Sequence, residues 1–149
     1  MATPVTASVE TLAAGTGLAS EQVEVLRAAA CLLDAIHSGD VDTYRRLTTP
    51  DVSCFETDVA PYRIDLQEFH TDMVRELGAL GAYASLVRCD LLTPRVRIYG
   101  DTGIATFTRL MTYVSAEGPR WQAFNETRVF VRQDGGWRMT HLHRSAAGT

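Results

Sequence analysis

The chain has 149 residues, of which 46% are hydrophobic and 21% are charged, and this is enough to bury the core of one globular domain. Its formal net charge of -4 gives no reason to expect nucleic acid or an anionic membrane as a partner. No apolar run approaches the roughly 18 residues of a membrane span, and the N-terminus lacks the pattern of a signal peptide. We therefore expect a cytoplasmic protein whose cysteines are reduced.

The N-terminal part of the chain predicts a tail followed by a long helix. Residues 1–19 carry no sustained periodicity, so we expect a flexible tail ahead of one domain over residues 20–149. Ser20 is a candidate N-cap, because its hydroxyl can accept a hydrogen bond from an amide of the first turn. Apolar residues then recur at helical spacing until Gly39, and a glycine at this position is typical of a helix end.

Two further helices and a strand follow the long helix. Asp40 begins a short helix over residues 41–47, and a short strand is expected at about 52–56. Asp65 and Glu68 have the spacing of a capping box, which predicts the start of the next helix. The inward stripe of this helix is predicted to be Leu66, Phe69, Met73 and Leu77.

After Gly78 the hydrophobic period changes from about 3.6 to about 2, as it does when helices give way to strands. Four extended segments follow, separated by the hairpin turn signals Gly-Asp, Glu-Gly-Pro and Asp-Gly-Gly. They cover about residues 83–99, 102–115, 119–133 and 136–145. Helices followed by an antiparallel meander predict an α+β fold, in which N-terminal helices pack on a curved mixed or antiparallel sheet.

Three of these strands place an arginine beside apolar residues. Arg109 shares a face with Ala105, Phe107, Met111 and Tyr113. Arg128 shares a face with Glu126 and Phe130, and Arg144 shares one with Leu142. The opposite face of the last strand is predicted to carry Trp137, Met139, His141 and His143. Periodicity alone leaves open whether the arginines line a buried pocket or a solvated face.

Several short motifs together resemble a known family. Residues 125–130, 134–137 and 141–145 read Asn-Glu-Thr-Arg-Val-Phe, Asp-Gly-Gly-Trp and His-Leu-His-Arg-Ser. They resemble the C-terminal signature of the association (hub) domain of calcium/calmodulin-dependent protein kinase II. Upstream motifs in matching order extend the resemblance to about residues 22–146. They are Gly39-Asp40, Tyr44, Phe55-Glu56, Phe69-His70, Gly100-Asp101 and Arg109.

The resemblance implies a cone-shaped fold of the NTF2-like (SnoaL-like) superfamily and an oligomerising domain. It also implies a deep pocket between helix and sheet that is able to hold small carboxylates. The matching positions are Tyr44, Glu56, His70, Arg109, Glu126, Arg128 and Arg144. The loop 57–64 departs from the family pattern, so the family's ligand does not carry over directly. Arg95 and Arg97 depart from it as well, so the contacts between subunits in the ring-shaped hub do not carry over directly either.

Three functions are compatible with this sequence. The leading hypothesis is a stand-alone NTF2-like protein, at least a homodimer, that binds a small anionic, carboxylated or polyketide-like ligand without a cofactor. The alternative is a cyclase, isomerase or dehydratase of natural-product biosynthesis. In that enzyme His70, with Glu56, would act as acid and base, and an arginine would stabilise an enolate. The third is a purely structural assembly module. Kinase activity is not expected, because kinase motifs are absent from this sequence.

The pair His141 and His143 admits a metal-site hypothesis and a packing hypothesis. Two histidines at this spacing can lie on one strand face, as in some metal sites. No third ligand at suitable spacing is evident in the sequence, so packing at a subunit interface is favoured and no metal is expected. With Trp137 and Met139 on the same predicted face, this surface is the predicted site of dimerisation.

Overall fold

The computed structural model describes Thr6, residues 17–56 and residues 64–148, without the side chains of residues 64 and 65. Most of the predicted tail and most of the loop 57–64 lie outside the described residues. The helices are α1 (Ser20–Ser38), α2 (Val41–Arg46) and α3 (Gln67–Ala79). The strands are β1 (Thr48–Phe55), β2 (Ile64–Asp65), β3 (Leu86–Tyr99), β4 (Thr102–Ser115), β5 (Gly118–Gln133) and β6 (Gly136–Ala146).

The strands form one mixed sheet in the order β2-β1-β6-β5-β4-β3. Strands β3 to β6 make an antiparallel meander, while β1 pairs in parallel with β6. The register shifts in β3 between Leu92 and Arg95 and again along β6, and such bulges bend a sheet. The predicted α+β class is confirmed. Among the described residues, no helix is long and apolar enough to cross a membrane.

Helix α1 supplies much of the apolar core. Its residues Val25, Leu26, Leu32 and Leu33 are fully buried, and it ends at Gly39 in the left-handed conformation, with φ 72°, as predicted. The N-cap is Ala19 rather than the predicted Ser20. The side chain of Gln22 accepts the amide hydrogen of Ala19 at 2.7 Å, so a glutamine satisfies the helix start and no hydroxyl cap is needed.

The predicted start of α3 is wrong. Asp65 does not cap the helix, because it pairs with Ser53 of β1 as part of β2. Leu66 takes the N-cap position with φ 85° and no side-chain cap, and the helix begins at Gln67. Strand pairing has therefore overridden a local capping signal, and the helix starts later than the sequence indicated.

The inward face of α3 also differs from the predicted stripe. Leu66 is 61% exposed and Phe69 is 49% exposed, although both were expected to face the core. The buried residues are His70, Thr71 and Val74. Polar residues rather than the large apolar ones are therefore buried near the start of this helix.

A bulge in β6 makes the faces of the last strand differ from the predicted ones. His141 pairs with Val129, but Met139 pairs with Phe130, which leaves Thr140 as an extra residue. An extra residue reverses the alternation of side chains beyond it. Trp137 and Met139 are therefore buried on the inward side, together with Leu142, and do not share a face with the two histidines. The face prediction that joined all four residues is wrong.

Candidate ligand-binding cavity

A cavity of about 280 Å³ lies between the helices and the inward face of the sheet. Helix α3 contributes His70 and three apolar residues to its wall, and the sheet contributes three arginines. The remaining lining comes from Leu142 of β6, from α1 and α2, from the residue that follows β1 and from the segment after α3. The full lining is Ile36, Tyr44, Glu56, His70, Met73, Val74, Leu77, Tyr83, Arg109, Arg128, Leu142 and Arg144.

Two of the arginines share one carboxylate. Glu126 Oε1 accepts hydrogen from Arg128 Nε at 2.8 Å and lies 2.8 Å from Nη2 of the same guanidinium. Glu126 Oε2 lies 2.7 Å from Arg109 Nε, in an ion pair whose angle misses that of a hydrogen bond. All three side chains are at least 97% buried, so neighbouring strands β4 and β5 hold two positive charges against one negative charge.

The charges of this trio depend on one another. Burial by itself would raise the pKa of Glu126, but the guanidiniums of Arg128 and Arg109 outweigh it and hold the pKa below its usual value. Burial lowers the pKa of Arg109, and the attraction of Glu126 opposes it. For Arg128 the attraction of Glu126 exceeds the effect of burial, and its pKa is raised. Glu126 is thus ionised because both arginines are present.

Arg144 of β6 reaches the cavity beside the same trio. Its guanidinium carbon lies 4.5 Å from the centre of the Phe124 ring, and that of Arg109 lies 5.5 Å from the same ring. Stacking on an aromatic face attracts a cation and fixes the plane of its nitrogen atoms. Phe124 therefore orients two of the three arginines toward a common space.

Tyr44 of α2 and Glu56, which directly follows β1, line the cavity. Tyr44 is 3% exposed, and burial raises the pKa of its hydroxyl, so the phenol keeps its proton and can donate a hydrogen bond. Glu56 is the last described residue before the gap at residues 57–63, and its side chain is partly exposed. The cavity thus carries a second carboxylate near the surface.

His70 lies on the first turn of α3 and is 4% exposed. Its Nδ1 atom is 3.7 Å from the Sγ atom of Cys54 on β1. Nothing in the local sequence places residue 54 next to residue 70, since this contact depends on how α3 crosses the sheet.

His37, near the end of α1, is a second residue that sequence reasoning missed. Its ring lies 5.0 Å from the ring of Tyr83, which lines the cavity, and neither ring nitrogen has a hydrogen-bond partner within the described chain. Burial lowers the pKa of His37 to about 3, and repulsion from Arg109 and Arg128 contributes to the shift. His37 is therefore a neutral imidazole at neutral pH.

The structure brings together the residues that the sequence selected. Tyr44, Glu56, His70, Arg109, Arg128 and Arg144 all line one cavity. Glu126 does not line it and instead lies behind the arginines, where it compensates their charge. Of the two alternatives that periodicity left open, the solvated face does not hold for Arg109 and Arg128, which are 2% and 1% exposed.

His141 and His143 lie away from this cavity, on the outer face of the sheet. His141 Nδ1 is 2.7 Å from the Ser53 hydroxyl oxygen, and both histidine rings lie 5.7 Å from the ring of Phe55. No group of three or more histidine, cysteine or acidic side chains suited to a metal ion occurs in the described part of the chain. The histidines thus form an aromatic surface cluster with Phe55.

Comparison with known proteins assigns the chain to the same family as the sequence motifs do. The family model of the calcium/calmodulin-dependent protein kinase II association domain matches residues 21–148. The chain belongs to this family. The association-domain match includes each cavity residue named above.

Individual relatives agree with the family. The delta subunit of the rabbit (Oryctolagus cuniculus) kinase is 29% identical over 128 residues, which are 85% of this chain and 24% of that protein. The chain therefore spans about a quarter of the length of this curated relative. The hub of the S. rosetta kinase has a TM-score of 0.71 at 31% identity, and the match covers 87% of this chain and 99% of that one.

More distant structures share the fold alone. An NTF2-like protein from Streptomyces avermitilis, proposed to be a dehydratase, has a TM-score of 0.67 at 20% identity. The match covers 85% of this chain and 95% of that one. This association domain therefore has the NTF2-like architecture that the resemblance implied.

Proposed function

We propose that this association-domain protein binds a small carboxylated anion in the cavity. The observation that carries the proposal is the convergence of Arg109, Arg128 and Arg144 on one partly enclosed space. Their three positive charges face two carboxylates, Glu126 and Glu56, so the cavity retains a net positive charge of one when the histidines are neutral. A residual charge in a buried site favours an anionic ligand.

The type of anion follows from the shape of the arginine guanidinium groups. A guanidinium presents a planar fork of donors, which matches the two oxygens of a carboxylate. The apolar lining residues Met73, Val74, Leu77 and Leu142 can hold an organic body attached to it. Of the apolar neighbours expected from the sequence, which were Phe107, Met111, Phe130 and Leu142, only Leu142 lines the cavity.

The volume of the cavity limits the size of the ligand. Pockets for drug-sized ligands span about 300–1,000 Å³, and this cavity measures about 280 Å³. The size supports a small acid and does not support a ligand with several fused rings. The carboxylated class is therefore favoured over the polyketide-like class.

Calorimetry with small carboxylates tests the proposal. Arg144→Ala should weaken binding by about 1.5–3 kcal/mol, the range for a hydrogen bond to a charged group. Arg144 suits the test because the salt bridges that Glu126 makes with Arg109 and Arg128 remain in this variant.

Arg120→Ala is the matched control. Arg120 also stacks on an aromatic ring, at 4.2 Å from the Tyr113 ring centre, but it is exposed and does not line the cavity. Binding should be unchanged in this variant. The proposal fails if the unmodified protein binds no carboxylate, or if both variants bind as well as the unmodified protein.

An acid–base enzyme is the second candidate, because His70 and Glu56 face the same cavity as the arginines. Here an arginine would stabilise the developing enolate oxygen. His70→Ala should then abolish product formation in a producing strain while the fold persists. Full activity of this variant would exclude His70 as the acid or base and leave the binding function in place.

We also propose that the protein forms homo-oligomers through the outer face of the sheet. Trp121 of β5 is 61% exposed, Phe55 of β1 is 44% exposed and Leu92 of β3 is 42% exposed. Apolar side chains exposed on one sheet face are typical of a surface that pairs with another copy. Light scattering should show at least a dimer at micromolar concentration, and a monodisperse monomer would contradict the proposal.

A further inference from the structure

Cys54 and His70 form a buried thiol–imidazole pair in the cavity wall. Sγ of Cys54 lies 3.7 Å from Nδ1 of His70, within reach of a hydrogen bond to the large sulfur atom. The two side chains are 1% and 4% exposed. His70 lines the cavity directly, while Cys54 lies behind it on β1.

The two partners are held by different parts of the fold. Cys54 pairs with Leu142 of β6 on one side and with Ile64 of β2 on the other, so its backbone is fixed within the sheet. His70 is carried by α3. The contact therefore restricts the imidazole ring relative to the sheet that carries the arginines.

The direction of this hydrogen bond follows from the chemistry of its partners. A thiol is a weak donor and a thiol sulfur is a weak acceptor, whereas an unprotonated imidazole nitrogen is a good acceptor. The arrangement that uses the better acceptor has the Cys54 S–H donating to Nδ1. In a neutral ring the hydrogen then resides on Nε2, since the bond made by one nitrogen sets the state of the other.

We propose that Cys54 is a positioning residue that holds His70 in the tautomer with its hydrogen on Nε2. In this state the imidazole offers the cavity a hydrogen-bond donor, as do the guanidiniums and the Tyr44 hydroxyl. The inference rests on the proposed binding of an anion and adds a third type of donor to that site. It also separates binding from acid–base catalysis, because Nε2 in this tautomer cannot accept a proton.

Nuclear magnetic resonance of the ¹⁵N-histidine-labelled full chain tests the tautomer without any ligand. A spectrum of His70→Gln identifies the signals of His70 among the four histidines of the chain. We expect the unmodified protein to show a protonated Nε2 and an unprotonated Nδ1 at His70. A hydrogen on Nδ1 would overturn the proposal.

Substitutions at Cys54 test the cause. Cys54→Ala should shift His70 toward a mixture of tautomers and weaken the binding of acetate roughly two- to tenfold, as expected for one misplaced hydrogen bond. Cys54→Ser keeps a donor and should retain both the tautomer and the affinity. Cys89→Ala removes another fully buried thiol, whose side chain interacts with Thr6 instead, and should change neither.

The outcomes separate this inference from the proposed function. If the unmodified protein binds acetate and Cys54→Ala binds it equally, or if the tautomer is the same in both, Cys54 has no positioning role. If the unmodified protein binds no carboxylate, the proposed function fails, while the spectra still decide the tautomer.

Discussion

The inward face of the sheet has an apolar end and a charged end, and they are covered differently. At the apolar end α1 packs directly on the sheet, and a Cβ atom added to Gly103 would lie 3.0 Å from Cγ2 of Val25. At the charged end α3 stands across a cavity from Arg109 and Arg128. Contact is thus closest where the side chains are apolar, and space is left where they are charged.

This difference indicates what the charged end is for. Buried ion pairs contribute little net stability compared with well-packed apolar residues. Ala105 of β4 and Phe130 of β5 show that the same strands can provide fully buried apolar side chains, both being 0% exposed. The buried trio of Arg109, Glu126 and Arg128 is therefore in keeping with the proposed binding of an anion.

The largest expected effect on stability comes from removing the carboxylate charge of Glu126 at the charged end. Glu126→Gln leaves two buried guanidiniums without their carboxylate, and the loss of one partner of a buried pair costs about 3–5 kcal/mol. Urea denaturation should show this loss in the free energy of unfolding. Glu117→Gln, on an exposed turn, should change stability by no more than about 0.5 kcal/mol.

The same variant sharpens the functional interpretation. If the guanidiniums are what attracts an anion, added acetate should restore part of the lost stability of Glu126→Gln, because a ligand that binds only the folded state stabilises it. Chloride at equal ionic strength serves as the reference. A loss below about 1 kcal/mol, far under that range, would show that Glu126 is not the main compensating charge.

The apolar end should respond to added volume and not to anions. Gly103→Ala places a methyl group within 3.0 Å of Val25 and 3.4 Å of Trp137, and such overpacking costs about 1–3 kcal/mol. The loss in the double variant Gly103→Ala, Val25→Ala should be smaller than the sum of the losses in the two single variants, since the second change removes the clashing methyl groups. Additive losses in the double variant would mean that α1 does not press on the sheet at this point.

The two ends also differ in how well the sequence predicted them. The alternation in β4 and β5 placed Arg109, Glu126 and Arg128 on the buried face correctly, because these strands pair without a bulge through those residues. In β6 the alternation failed at Trp137 and Met139, since one extra residue at Thr140 reverses it. A bulge of this kind is set by tertiary pairing, and no local signal in the sequence announces it.

The sequence predicted most of the residues of the site, but not which of them line the cavity and which lie behind its wall. Motif matches selected six lining residues, yet they could not show that Glu126 lies behind the arginines or that Cys54 meets His70. Both facts depend on distances between elements far apart in the chain, and the cap and the first inward residues of α3 were themselves predicted incorrectly. His37 carried no motif and was missed for the same reason.

The smallest expected effect concerns His37, which lies where α1 approaches the charged end. Its pKa is lowered to about 3 in the folded protein, against about 6.5 for an unperturbed histidine. Below pH 6.5 His37 binds a proton in the unfolded chain but not in the folded protein, so the free energy of unfolding falls as the pH falls. The slope for one proton is about 1.4 kcal/mol per pH unit, and the window extends down to about pH 3.

His37→Leu should remove this dependence. Denaturation at pH 6.5 and pH 5 should show that the unmodified protein loses about 1–2 kcal/mol more than the variant, as expected for one proton over this interval. All other titrating groups are common to the two chains, so the difference isolates His37. An equal loss in both proteins would show that His37 titrates normally, and would place it outside the positive field of Arg109 and Arg128.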